Sequence, residues 1–446
     1  MSETTEKEHS FVARPSRTLI ALALPVLVSM IAEPLTGLVD TAFVAKLGAA
    51  SLAGLGVGTI TLSSVLWIFN FLGIGSQTQV AQSWGGNDRG RASVLSGQAL
   101  LLALAFGMAV AIPGILLSSQ AAALMGATGE VLENARTYMN IRFLAAPAVL
   151  ISATAFGILR GLQDMRTPMK VALAINILNV AFDPVLIFGF GPLPALGIAG
   201  AALATIASQW FGAAWCLFAV LKNLGVPKGL DLSEATALIR VGGDLFIRTG
   251  LLTTFLLLTT RAATEAGADT GAAHQAIRQV WIFTALFLDS FAITGQSLVG
   301  FFIGAGNREQ ARRVASYVFA WSVGTGALLA LAMLATTGAV MNLLVPPSSR
   351  SIFPEAWFLA SVAQPLNALA FATDGVHWGT GDFAFLRNVM VLATTTGVGL
   401  LYLSAMNNGL TTIWIITAFW ISIRAAFGVL RVFPGLGKSP LKRETV

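Results

Sequence analysis

Charge is scarce in this chain. Only 11% of its 446 residues are Asp, Glu, Lys or Arg, against about 25% in a soluble domain, which excludes an ordinary soluble protein. The single cysteine, Cys216, excludes an intrachain disulfide framework and a cysteine metal cluster. There are three histidines and no DDxxD or HExxH run. That leaves little for an intramembrane prenyl or acyl transferase, which needs a metal-binding acidic motif or a nucleophile–base set. Tyrosine is also rare, three against 28 phenylalanines, a balance that suits lipid better than water.

Hydrophobic sequence dominates instead, at 55% of residues, enough for about a dozen membrane helices of ~20 residues each. A single soluble core of that size is excluded, because cores stop growing beyond roughly 300 residues. Twelve apolar runs can be read. The first six lie near Thr18–Phe43, Leu52–Gln79, Ala92–Leu116, Val131–Leu159, Pro168–Phe190 and Gly197–Leu221. The other six lie near Thr236–Thr264, Ala273–Ile303, Val314–Leu344, Ile352–Val376, Leu386–Ser404 and Thr411–Leu430. The expected organisation is a cytoplasmic tail at residues 1–17, a first lobe at 18–222, a polar linker at 223–235, a second lobe at 236–432 and a tail at 433–446. The first run is too long for a signal-peptide core, and no small-residue cleavage site precedes it.

Basic residues gather in alternate connections. One set holds Lys7, Arg14 and Arg17, then Arg89, Arg91, Arg160, Arg166, Lys170, Lys222, Lys228 and Arg240, then Arg308, Arg312, Arg313, Arg387, Arg431, Lys438, Lys442 and Arg443. The opposite set holds only Lys46, Arg261 and Arg350. This positive-inside asymmetry places both ends in the cytoplasm. It also accounts for the net charge of +6 without nucleic acid, which is not expected as a partner.

The chain repeats at about half its length. Gly75, Gly86 and Asn87 fall 220 residues before Gly295, Gly306 and Asn307, and Gly157, Gly161 and Asp164 fall 218 before Gly375, Gly379 and Asp382. An all-α membrane protein follows. It has two six-helix bundles of like orientation, related by an axis along the membrane normal, an arrangement suited to alternating access.

Within the runs, each carboxylate costs about 2.5–3.5 kcal/mol to insert and needs a reason. Glu33 and Asp40 share one helical stripe with Thr36 and Gly37, and Asn176, Asn179 and Asp183 share another. Counting depth through the alternating topology puts Asp40, Asn179, Asp183 and Thr205 in the same half of the membrane. The second half carries Thr260 and Leu401 at the repeat positions of Asp40 and Asp183. The acidic pair therefore belongs to one lobe, which points to function rather than scaffold. Asp289 is a weaker candidate in the eighth run. Asp244 and Arg248, four apart, can neutralise each other, and Arg142 can reach the depth of Glu33. His274 and His377 fall near run ends, where interfacial positions are expected. Prolines 25, 34, 147, 184 and 365 lie within runs, and Pro25 and Pro34 of the acid-bearing first run are the candidate hinges.

Three stretches carry a resemblance. They are Glu33-Pro-Leu-Thr-Gly-Leu-Val-Asp-Thr-Ala-Phe-Val-Ala-Lys-Leu-Gly48, Asn179-Val-Ala-Phe-Asp-Pro-Val-Leu-Ile-Phe-Gly189 and Gly197-Ile-Ala-Gly-Ala-Ala-Leu-Ala-Thr205. Together with Ala273-His-Gln275 and Leu288-Asp-Ser-Phe291, they resemble the multidrug and toxic compound extrusion (MATE) transporters, DinF-like branch, over nearly the whole chain. The resemblance implies twelve helices in two lobes around a V-shaped central cleft. It implies export of lipophilic, often cationic compounds, driven by an inward proton or sodium gradient. It assigns ion coupling to Asp40, Asp183, Asn179 and Thr205, with Asn176 beside them, and leaves Glu33, Thr36 and Asp289 as substrate or coupling positions. Lys46, preceded by Ala45, departs from the usual glycine at the end of the first motif. The expected protein is a monomeric exporter in the plasma (inner) membrane of a prokaryote. It needs no cofactor beyond its coupling ion.

Two buried carboxylates titrate as a coupled pair, and protonation of Asp40 would release substrate outward. Sodium is the rival ion, since Asp40, Asn179, Asp183 and Thr205 also make a hard-cation donor set. A lipid-linked precursor flippase is the alternative within transport. Its cationic cavity is opposed by the acidic charges here.

Overall fold

A computed structural model describes residues 9–229, 232–404 and 409–442. Its elements are helical, with an isolated bridge between Phe190 and Leu193. In chain order they are α1 Ser10–Ala13, α2 Pro15–Ala45, α3 Ala49–Trp67, α4 Phe71–Gly85, α5 Arg89–Leu116, α6 Ser118–Leu124, α7 Gly129–Phe143, α8 Ala146–Gly161 and α9 Arg166–Phe188. They continue as α10 Ile198–Leu224, α11 Leu232–Glu265, α12 Ala268–Gly304, α13 Arg308–Ala335, α14 Thr337–Leu344, α15 Phe353–Val362, α16 Gln364–Thr380, α17 Phe383–Leu403 and α18 Leu410–Val432. Among the described residues, 10 helices are long and apolar enough to cross a membrane, or 11 if the bent pair α7–α8 is one span.

Each expected run is largely helical, but four are interrupted, the ninth of them at Thr336 between α13 and α14. A 3₁₀ turn at Ile68–Asn70 separates α3 from α4. The fourth run bends by 52° between α7 and α8, and the tenth breaks at Ala363 between α15 and α16. Pro147 and Pro365 therefore sit in the first turns of α8 and α16, where a missing N–H costs nothing. Pro25 and Pro34 lie inside α2, which stays helical through both. The carbonyl of Leu144 at the bend is satisfied by Trp210 Nε1 at 3.3 Å.

The internal repeat is visible as repeated close packing. An added Cβ at Gly157 would meet the Gly73 carbonyl oxygen at 2.1 Å, and one at Gly375 would meet that of Ala292 at 2.1 Å. Gly107 packs on Pro147 as Gly326 packs on Pro365. Small residues let backbones approach where lipid supplies no hydrophobic drive between helices. The N-caps also correspond: Asp88 accepts from Arg91 N at 2.8 Å, and Asn307 accepts from Gln310 N at 2.9 Å. Each follows a left-handed residue, Asn87 and Gly306. These pairs are 219 apart, so the 220-residue matches at Gly86 and Asn87 are one position out of structural register. Gly48 and Gly267, the N-caps of α3 and α12, keep the same 219 spacing. Thr259 rather than Thr260 thus stands at the position of Asp40.

The chain divides into two compact units, Val28–Gly242 and Met1–Leu27 with Gly243–Val446. The cuts fall inside α2 and α11, not in the polar stretch at 223–235. Burial explains the first cut. Of the tail expected at 1–17, Phe11 is fully buried in one cluster with Leu19, Phe302 and Val432. Leu441, in the tail expected at 433–446, joins the same cluster. Val44, Leu55, Tyr138 and Ile198 form a core in the other unit.

Candidate functional site

The acidic cluster lies within the unit Val28–Gly242. A cavity of about 340 Å³ is lined by α2 (Glu33, Thr36, Gly37, Asp40), α3, α7 (Tyr138, Arg142), α9 (Asn176, Asn179) and α10 (Thr205, Gln209). Its size falls at the lower end of small-molecule sites. The helices that carry it are held by small residues: a Cβ at Gly200 of α10 would meet the Leu186 carbonyl at 2.3 Å, and one at Gly212 would meet Ile175 at 2.3 Å. By contrast, a Cβ at Gly37 or Gly56 would meet nothing within 4 Å, so these two glycines leave the cavity open.

Asp40 lines the cavity, and Asp183 lies outside the cavity wall, completely buried. Their carboxyl groups are within hydrogen-bonding reach of each other, and the Arg142 charge acts on Asp40. Neither Asp183 oxygen, nor Asp40 Oδ1, meets a donor among the described residues. Asn179 Nδ2 donates to Thr205 Oγ1 at 3.3 Å, and Thr205 Oγ1 donates to the Ala201 carbonyl at 3.0 Å. This leaves Asn179 Oδ1 as a further buried acceptor without a donor. Thr36 spends its hydroxyl proton on the Ala32 carbonyl at 3.1 Å, so it offers the cavity only acceptor lone pairs. Glu33 and Arg142 line the same cavity, with no ion pair between them among the described residues.

Asp289 is not brought to this cluster. It lies in the other unit, on α12, where its charge acts on Arg424. That unit holds a buried ion cluster that sequence reasoning missed. Asp374 of α16 pairs with Arg248 of α11, and with Arg424 of α18 at 2.8 Å. Arg248 and Arg424 lie over the rings of Trp378 and Trp420. The expected pairing of Asp244 with Arg248 is corrected: Asp244 pairs with Arg387, because α16 brings Asp374 to Arg248 from outside its own helix. Asp374 was open to the same rule that singled out Asp40, a carboxylate inside an apolar run. Its partners stand 126 and 50 residues away, so no local spacing announces them. His274 and His377 are also corrected from interfacial to buried. Thr260 Oγ1 lies 3.4 Å from His274 Nε2, and the Gly428 carbonyl 3.0 Å from His377 Nε2. No group of three or more His, Cys, Asp or Glu side chains able to hold a metal occurs among the described residues.

A model of the MatE family matches residues 25–185 and 246–403, one stretch in each half. The chloroplastic protein DETOXIFICATION 44 of Arabidopsis thaliana is 30% identical over 93% of this chain and 81% of its own length. The DNA damage-inducible protein F of Escherichia coli is 27% identical over 93% and 91%. A crystal structure of a Vibrio cholerae MATE transporter superposes with a TM-score of 0.86 at 19% identity, covering 96% of this chain and 98% of that one. The likeness to the solved structure is one of fold, and it fits the twelve helices outlined by the apolar runs.

Proposed function

Since the chain belongs to the MatE family, of multidrug and toxic compound efflux transporters, and is an integral multi-pass membrane protein, we propose that it exports lipophilic, cationic compounds by proton antiport through Asp40 and Asp183. One observation carries the choice of ion. The two carboxyl groups are in hydrogen-bonding reach while no other donor meets Asp183 among the described residues. Two carboxylates can bond to each other only when one holds a proton, so a single shared proton satisfies the pair.

In this reading Asp40 is the entry, because the cavity reaches it and not Asp183. A proton arriving through the cavity closes the Asp40–Asp183 bond and removes negative charge from the cavity wall. A cation held there by Asp40 and Glu33 loses affinity and leaves. Loss of the proton to the other side restores the charge. Cation and proton compete for one state, and that competition is the coupling. Arg142, close to Asp40, limits how much negative charge the empty cavity carries. Pro25 and Pro34 are the hinges of this reading, on either side of the Leu27–Val28 cut between the compact units.

Sodium is the second reading. The unpartnered oxygens of Asp40, Asp183 and Asn179 form an oxygen-rich donor set for a hard cation, with Thr205 beside them. The membrane assigned in either case is the plasma (inner) membrane of a prokaryote, and the working unit a monomer. Glu33 and Asp40 outweigh Arg142 among the charges of the cavity, which argues against a diphosphate cargo there.

The deciding experiment reconstitutes the purified protein in liposomes and imposes a pH gradient or a sodium gradient separately, following a fluorescent lipophilic cation. Uphill movement with the pH gradient alone, lost in Asp40→Asn, is expected. Uphill movement with sodium only overturns the proton reading, and undiminished proton-driven efflux by a well-folded Asp40→Asn protein overturns the site.

A further inference from the structure

In the unit that contains α12 to α18, and with no residue of the acidic cluster in its wall, the chain builds a second and larger cavity of about 1200 Å³. Arg308, Arg312, Arg313 and Lys442 line it, with Glu309 the one acidic residue of its wall among the described residues. A topology signal accounts for basic residues in this connection. It requires only that the charges lie on one side of the membrane, and it does not require a walled cavity.

The end of α12 and the start of α13 form most of the wall, and the segment after α18 completes it with Phe433, Pro440 and Lys442. Arg431 pairs with Asp382 at 2.8 Å and donates to the carbonyls of Leu436 at 2.6 Å and Lys438 at 3.0 Å. Arg312 lies over the Phe433 ring at 4.7 Å and donates to the Leu441 carbonyl at 2.6 Å. Leu441 is only 1% exposed. Two arginines therefore hold the returning backbone, and a buried leucine anchors it. That arrangement brings Lys442 to the cations of α13. The cavity thereby gathers basic side chains from two segments far apart in sequence.

We propose that this cavity binds a phosphate-bearing anionic group, specifically the headgroup of an anionic phospholipid. Guanidinium forks match phosphate oxygens, and basic pockets at the cytoplasmic ends of membrane helices take such headgroups. The volume is far larger than one inorganic phosphate needs. Ile303, Phe433 and Pro440 in the wall give apolar contact to the glycerol and the first carbons of the chains. The site is independent of the coupling reading, since none of its residues belongs to the acidic cluster.

The test uses the full-length protein in detergent. Phosphatidylglycerol, phosphatidylcholine and inorganic phosphate are titrated separately while Tm is followed, and native mass spectrometry counts retained lipid. Phosphatidylglycerol is expected to raise Tm saturably by several degrees, less so in high salt. The rise should be lost in Arg313→Gln/Lys442→Gln and reduced in Lys442→Gln alone, an exposed change that spares the fold. Inorganic phosphate giving the same rise, with the same loss in the variants, supports the anion site and assigns it to free phosphate instead. An equal response to phosphatidylcholine, or an unchanged phosphatidylglycerol response in both variants, overturns the proposal.

Discussion

Asp183 lies fully buried within hydrogen-bonding reach of Asp40, and the cavity touches Asp40 alone. The pair thus has an outer and an inner member, and the two should respond differently to substitution. Asp40→Asn removes the group that both substrate and proton reach, so substrate-stimulated proton release from detergent-solubilised protein should vanish. Asp183→Asn leaves Asp40 facing an amide, a fixed donor that favours the ionised carboxylate. Substrate binding should persist there while proton release falls. Equal loss of binding in the two variants would contradict the assigned order.

The ion cluster in the other unit predicts the opposite kind of defect. Asp374→Asn leaves Arg248 and Arg424 buried without their shared counter-charge. Breaking such a pair costs about 3–5 kcal/mol, so the variant should fail to accumulate as a monodisperse protein in size-exclusion chromatography. Replacing all three, Arg248→Met, Asp374→Leu and Arg424→Met, should recover much of the yield, because neither guanidinium is then buried without its counter-charge.

Gly157 and Gly375 test the repeat as a packing device. Each would bring a Cβ within 2.1 Å of a backbone carbonyl, and overpacking costs about 1–3 kcal/mol. Gly157→Ala and Gly375→Ala should each lower Tm by a similar amount, while Gly399→Ala, with open space around it, should not. A harmless Gly157→Ala would show that α4 and α8 separate more easily than their contact implies.

Gly56 offers the reverse case. A side chain there enters the cavity and meets nothing within 4 Å, and alanine is about 1 kcal/mol better than glycine in a helix. Gly56→Ala should keep or raise Tm. Gly56→Leu should narrow the range of compounds exported, bulky ones first, as measured by growth inhibition across a panel of sizes.

Much of the fold was legible before any coordinates, because lipid enforces a simple rule: a spanning segment must satisfy its own backbone and present apolar side chains. Length and hydropathy then mark each span. The breaks at Leu144–Ala145 and Ala363 were less legible. Pro147 and Pro365 were visible, but a proline reads alike as a kink inside a helix and as the first turn of the next one.

The candidate site divides the same way. Asp40, Asn179, Asp183 and Thr205 could be placed at one depth because helical rise converts sequence position into depth. Depth does not give azimuth, so which carboxylate faces the cavity came only from the packing of α2, α9 and α10. The Arg248–Asp374–Arg424 cluster is the stronger case: three helices far apart in sequence supply one residue each. The same holds for the basic cavity, whose wall is completed where Arg312 and Arg431 capture carbonyls after α18. The sequence by itself determined the membrane, the helices, the duplication and the lopsided acids, all properties of single segments. Tertiary structure alone decided which charges meet and which stay unpaired, because ion pairs and cavities are set by distances between segments that sequence order does not encode.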